Sequence, residues 1–427
     1  MESFKIYDKA VKLSFQFKVI TFLLIISSLS WGGTETVSDS VAVNVRQIIF
    51  RIAPVLIVIA YLFVLDSKRN LHAMKTLSRP IFWPVLLYLV FSVIGGSYGH
   101  YPLLAYWKTV EYFSVVYWAA TLLSLTKNKQ LTDIFRVVLI SIVFIFVWMI
   151  IIASVYPSEG WFFEGSFKLN GVLPTINPNA IGFYCLYALV IAYHISKPIF
   201  RIIIVPFIFI FIIETSRSSY IAALVLLLLG VVTLVYKRPR KNYVVFLAMF
   251  TAVFSTLLSY FWVDVQLYIL RGANDWSDLS NLSGRTSLWM IGVEELKRTF
   301  PFGNGIGTSS RYLYLNYDEI KQSVSMHNSP LELLINAGMG GVVMIIWYCG
   351  TGLSILISFL KSRRLMVHND LVLMLYIILS TRFLSSSALA SLQIELIIFF
   401  IVIIQHGRQK ADEGLLRIGN SRRHEVC

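Results

Sequence analysis

Two arginines and one histidine stand in short polar segments of an otherwise apolar chain: Arg217, Arg285 and His327. Arg217 lies in Glu214-Thr215-Ser216-Arg217-Ser218-Ser219, between two apolar runs that leave almost no connection. A charge at that depth is costly unless paired or solvated by a cavity. It is therefore either a functional group, or an Arg that pairs with Glu214 or reaches to the interface. Arg285 opens Gly284-Arg285-Thr286-Ser287-Leu288-Trp289, and alone reads as a surface arginine. His327 lies in Met326-His327-Asn328-Ser329-Pro330, directly before another apolar run. An imidazole that titrates near neutral pH suits proton transfer, or simply hydrogen-bonds at a helix start.

Taken together, two guanidiniums and one imidazole make a coherent set. The planar guanidinium fork matches phosphate oxygens. Two such forks can hold a pyrophosphate leaving group and stabilise the charge that develops as its bond breaks. The imidazole can accept a proton from an attacking hydroxyl. The arginines supply the positive charge, so neither a divalent metal nor a cofactor is expected. Asp275 and Asp278, the close carboxylate pair of their segment, read as a solvated turn. Pro301-Phe302-Gly303-Asn304-Gly305-Ile306-Gly307 is glycine-rich but lacks a Walker lysine, so a turn is expected rather than a nucleotide cradle. Lys108 and Glu111, three apart, share a helix face; they either pair structurally or line a substrate cavity. Glu395 raises the same question, and Glu332 could orient His327. Cys185, Cys349 and Cys427 are too scattered for a metal knuckle or a disulfide framework.

The elements that must position these residues are membrane helices. Of the 427 residues, 57% are hydrophobic and only 14% charged, against roughly a quarter charged in soluble domains. A span needs about 20 mainly apolar residues. Windows that meet this lie near 17–33, 46–65, 80–98, 104–125, 134–156, 179–196, 199–215, 218–236, 243–262, 330–360, 368–382 and 387–405. The first resembles a signal peptide but lacks a small-x-small cleavage site, so it reads as a retained anchor. Most of the 37 basic residues fall in alternate segments, including Lys68 and Arg69, Lys127 and Lys129, Lys237 to Lys241, and the C-terminal tail. That alternation follows the positive-inside rule, which places both termini in the cytoplasm. It also accounts for the formal net charge of +14 without nucleic acid.

The expected fold is an all-α membrane protein of about twelve transmembrane helices. Residues 1–262 carry the first nine, 263–329 form one large periplasmic loop with short amphipathic helices, 330–405 carry the last three, and 406–427 are a cytoplasmic tail. Within the loop, Arg285–Thr299 has helical periodicity, with Leu288, Trp289, Ile291 and Leu296 on one side and Glu294, Glu295 and Arg298 on another. A helix lying on the membrane surface fits that pattern.

With these segments in view, the chain resembles the O-antigen ligase and polymerase superfamily. The likeness rests on Thr175-Ile176-Asn177-Pro178-Asn179-Ala180-Ile181-Gly182 and on Thr215-Ser216-Arg217-Ser218. It continues in Gly284-Arg285 through Trp289 to the glycine-rich turn, and in His327-Asn328 leading to Leu334-Ile335-Asn336-Ala337-Gly338-Met339-Gly340-Gly341. The resemblance implies a metal-independent glycosyltransferase of the bacterial inner membrane, acting in the periplasm on undecaprenyl-pyrophosphate-linked glycans. Arg217 and Arg285 would bind the pyrophosphate and His327 would activate the acceptor. Asn177, Asn179, Asn328, Lys108 and Glu111 are further substrate-binding candidates. A ligase joins the glycan to lipid A–core, whereas a polymerase joins it to another lipid-linked repeat. The resemblance favours the ligase, because the family's ligases also have one dominant periplasmic loop that carries an Arg and ends in a His. A transporter of lipid-linked sugars is the reading from another class, with Lys108, Glu111 and Glu395 as coupling groups. The chain shows no repeat symmetry between halves of the kind transporters carry.

Overall fold

The structure, a computed structural model, describes residues 15–30, 45–46, 48–64, 67–125, 128–163, 167–169, 171–195, 202, 204–213, 217–237, 285–308, 326–361 and 367–424. It is predominantly helical. In chain order the helices used below are α1 (Phe15–Ser27), α2 (Ala53–Val64), α3 (Ser67–Leu77), α4 (Trp83–Tyr98), α5 (Pro102–Leu125), α6 (Asn128–Val155) and α7 (Pro178–His194). They continue as α8 (Ile204–Ile213), α9 (Arg217–Lys237), α10 (Arg285–Thr299), α11 (Ser329–Ala337), α12 (Met339–Lys361), α13 (Val367–Ser385) and α14 (Ile394–His424). The expected span 243–262, and Glu214, Asp275 and Asp278, lie outside the described residues.

The outer surface of the bundle is apolar, and this identifies a membrane protein. Ile140, Phe144, Val147 and Ile151 recur at helical spacing along α6, each between 44% and 52% exposed. Water would not tolerate such a stripe, whereas lipid tails cover it at no cost. Among the described residues, Pro80–Tyr98, Leu131–Val155 and Met339–Lys361 are long and apolar enough to cross a bilayer. Inside, α5 buries Tyr112, Tyr117 and Trp118, and α14 buries Phe399 and Phe400.

Three local features depart from plain helices. Residues 161–176 form two small antiparallel hairpins, β1 (Trp161–Phe163) with β2 (Phe167–Leu169) and β3 (Gly171–Val172) with β4 (Thr175–Ile176). The all-helical expectation missed them because their short strands show no periodicity, although the aromatic run Trp161-Phe162-Phe163 has high strand propensity. The single span expected over 330–360 is two helices, α11 and α12, broken at Gly338. Gly338 has φ +50°, and a Cβ there would stand 2.0 Å from the Pro301 carbonyl oxygen. The last span, expected from 387, begins as a helix only at Ile394, and residues 386–393 form a largely buried non-helical connection between α13 and α14.

The helix expected over Arg285–Thr299 is present with those bounds. Its apolar side does not simply lie on a membrane surface: Leu288 is buried with Met326, Leu331 and Ile335, so α10 packs on α11. The same helical period serves either partner, and a neighbouring helix takes it here. Glu295, assigned by periodicity to the polar side, is buried at 4% exposure because it bonds within the fold.

Candidate functional site

The glycine-rich turn after α10 is a wedge between helices. Gly303, Gly305 and Gly307 all have positive φ, a conformation that L side chains rarely adopt. Its backbone is tied to α11: Asn304 N–H donates to the Ile335 carbonyl at 3.0 Å, and Gly305 N–H to the Asn336 carbonyl at 2.9 Å. On the opposite side Ile306 N–H donates to Ser92 Oγ of α4 at 2.9 Å. A Cβ at Gly95 would fall 2.4 Å from the Gly303 carbonyl oxygen, so α4 must be bare where the turn crosses it. The expected turn, not a nucleotide cradle, is what these bonds describe.

Asn336 joins four elements from full burial. Its Oδ1 accepts from Gly307 N–H at 3.3 Å, and its Nδ2 donates to Tyr88 Oη of α4 at 3.3 Å and to the Ala390 carbonyl at 3.2 Å. A buried amide that uses both ends fixes one geometry, since each bond lost would orphan a buried group.

His327 stands two residues before α11, with φ +48°, a left-handed value uncommon for a side-chain-bearing residue. Asn328 is the N-cap of α11: its Oδ1 accepts from Leu331 N–H at 3.0 Å. The turn is pinned from both sides. Trp289 Nε1 of α10 donates to the Met326 carbonyl at 2.9 Å, and Ser329 Oγ donates to the Ser386 carbonyl at 2.5 Å. Buried Glu332 accepts a short hydrogen bond from Ser387 Oγ. Glu332 thus ties α11 to the 386–393 connection. Strained backbone held by surrounding bonds is a recurrent property of functional sites.

Lys108 and Glu111 do pair, with Nζ to Oε2 at 2.9 Å, and the pair is part of a larger group. Arg51 grips the same carboxylate with two bonds, Nε to Oε1 at 3.0 Å and Nη2 to Oε2 at 3.2 Å, while Trp107 Nε1 donates to Oε1 at 2.7 Å. Glu111 is fully buried. Lys108 runs beneath the glycine wedge, its Cγ 3.4 Å from where a Gly307 Cβ would stand. Glu395 is equally buried and pairs with Arg382 Nε at 3.1 Å. That pair joins the end of α13 to the start of α14, where each charge suits the helix dipole, so it reads as a clasp under residues 386–393.

Residues 202–346, a third of the chain, match the family model described as O-antigen ligase. Over that stretch the chain is similar to the O-antigen ligase family. The match supports the ligase and polymerase superfamily. None of the curated proteins compared with the chain matches it.

The matched stretch contains all three residues first singled out. Arg217 is the first residue of α9 and Arg285 the first of α10, while His327 immediately precedes the cap of α11. Each therefore sits at a helix start, where unbonded N–H groups and the helix dipole favour negative charge. Direct contacts link α10 to α11 through Trp289 and Met326, and α11 to the end of α13 through Ser329 and Ser386. Two of the substrate-binding candidates have structural work: Asn328 caps α11, and Asn177 caps α7 by accepting from Asn179 N–H at 2.8 Å. Among the described residues no three His, Cys, Asp or Glu side chains gather as a ligand set. Sequence reasoning missed Arg51, Asn336 and Ser387. Asn336 lies in a segment that carries the family likeness and could have been found there; Arg51 carried no local signal.

Proposed function

We propose that the chain is an O-antigen ligase that moves a polysaccharide from undecaprenyl pyrophosphate to lipid A–core, on the periplasmic face of the bacterial inner membrane, without a metal ion. The observation that carries this reading is that the O-antigen ligase match over 202–346 spans Arg217, Arg285 and His327. In the reaction an acceptor hydroxyl oxygen attacks the anomeric carbon of the glycan. The bond from that carbon to the pyrophosphate oxygen breaks, and the electron pair stays with the pyrophosphate. Arg217 and Arg285 neutralise the charge that develops on it. His327 Nδ1 or Nε2 accepts the acceptor's proton. The positions of these residues at helix starts, and the positive backbone φ at His327, support a site built for an anion and held in one shape.

The domain plan of nine helices, an outer loop over 263–329, three helices and an inner tail belongs to this proposal, with both termini in the cytoplasm. A deletion strain tests it. Loss of a ligase leaves long chains on the carrier lipid and none on lipid A–core. Single repeats still joined to lipid A–core would instead identify a polymerase, which uses the same chemistry with a lipid-linked repeat as acceptor. Accumulation of lipid-linked glycan on the cytoplasmic side would identify a transporter.

A further inference from the structure

Arg51 lies outside the matched stretch, in a π-helical turn, Ile48–Ile52, that leads into α2. Such turns are rare and recur at functional sites. Its guanidinium is oriented by a carboxylate that is itself fully buried. Glu111 takes the Nε and one Nη2 proton, which turns the Nη1 edge away from it. The Arg51 side chain keeps 19% of its surface exposed and Lys108 keeps 16%, so both cations reach the boundary of the packed core while Glu111 does not. Trp107 fixes the carboxylate from a third direction. A fork held this rigidly loses little freedom on binding a phosphate.

The position suits the same site. Lys108 touches the wedge at Gly307, and Gly307 N–H bonds Asn336 of α11. At about 1.5 Å per residue, Asn336 is only about 10 Å along α11 from Ser329 and the His327 turn. Arg51 stands further back, joined to that turn through Glu111, Lys108, the glycine wedge and α11 as one continuous packed group.

We propose that Arg51, positioned by Glu111 and seconded by Lys108, is a further binding point for a phosphate oxygen of the substrate. The proposal rests on the ligase reading for its substrate class, a phosphate that belongs either to the lipid-linked donor or to a phosphorylated acceptor. The test uses the full-length protein in phosphatidylcholine nanodiscs, with binding of inorganic pyrophosphate, undecaprenyl pyrophosphate and phosphorylated lipid A–core measured by thermophoresis. Arg51→Gln is expected to weaken at least one of these at least tenfold while the protein keeps its elution profile. A fall confined to the two pyrophosphates assigns the donor, and one confined to lipid A–core assigns the acceptor. Affinities all within twofold of wild type overturn the proposal and leave Arg51 as a brace between α2 and α5. If Arg51→Gln loses its fold, Arg51→Lys carries the same test, since it keeps a cation on Glu111 and removes the fork. Failure of the underlying reading looks different: wild-type protein that binds pyrophosphate through Arg51 but transfers no glycan sinks the ligase and spares the binding point.

Discussion

Replacing Gly338 by alanine should destabilise the protein far more than the same change twelve residues on. At Gly338 the backbone has φ +50° and ψ −115°, a region closed to side-chain-bearing residues; holding alanine there costs about 1–3 kcal/mol. The new methyl carbon would also stand 2.0 Å from the Pro301 carbonyl oxygen and 2.4 Å from its carbon, both backbone atoms that cannot swing aside. Moving them breaks the 2.8 Å bond in which Met339 N–H donates to Pro301, worth about 0.5–1.5 kcal/mol. The sum is roughly 2–4 kcal/mol of lost stability. Gly350 is the control. It lies inside α12 with nothing within 4 Å of its Cβ direction, so alanine there should gain about 0.5–1 kcal/mol from helix propensity. Unfolding of both variants by graded SDS in mixed micelles, followed by tryptophan fluorescence, measures the difference. If Gly338→Ala and Gly350→Ala unfold within about 0.5 kcal/mol of each other, the account of the α11–α12 break is wrong.

Further outcomes are expected at the site and at the opposite end of the bundle. His327→Ala should abolish glycan transfer by purified protein while membrane insertion stays normal, and Arg217→Ala should do the same; wild-type rates in both would remove them from the reaction. Transfer should survive chelation of divalent cations, and activity that is lost in chelator and returns with added metal would contradict the arginine-based scheme. Glu111→Leu should cost roughly 3–5 kcal/mol, since it strands two cations that the carboxylate holds; unfolding in the same micelles reads it. Just past the last expected span, burial, and then the charge of Lys410, pull the His406 imidazole down to about 4. The unfolded chain, at about 6.5, binds the proton first, so stability is fully present above that pH and falls as pH drops towards 4. His406→Asn should flatten this dependence between pH 7 and 5, and an unchanged slope would remove His406 as its source.

Much of this arrangement was legible in local pattern. The period of Leu288, Ile291 and Leu296 located α10 to the residue, and the apolar windows located α4, α5, α6 and α7. Local pattern fails where the determinant is distant. Arg51 and Glu111 are 60 residues apart, so no spacing rule joins them. Gly338 reads as one more tolerated glycine in an apolar helix until Pro301 is seen pressing on it. Periodicity gives a helix an apolar side but does not say whether lipid or protein covers it, which is why the packing of α10 on α11 and the burial of Glu295 were not legible. The site residues divide in the same way: Asn177 and Asn328 precede proline-bearing helix starts and could be read as caps, whereas Ser387 and Tyr88 are recruited only by the fold.

The connection at 386–393 also constrains how the protein is made. Its carbonyls are satisfied from far upstream: Tyr88 Oη donates to Ala390 across 302 positions, and Tyr112 Oη to Leu389 across 277. Until those tyrosines are already in place, this connection has bare peptide groups that lipid cannot accommodate. Biogenesis must therefore dock this connection onto a template already in place, and a chain truncated near Ser385 would keep its earlier helices while leaving Tyr88 and Tyr112 without these carbonyl partners.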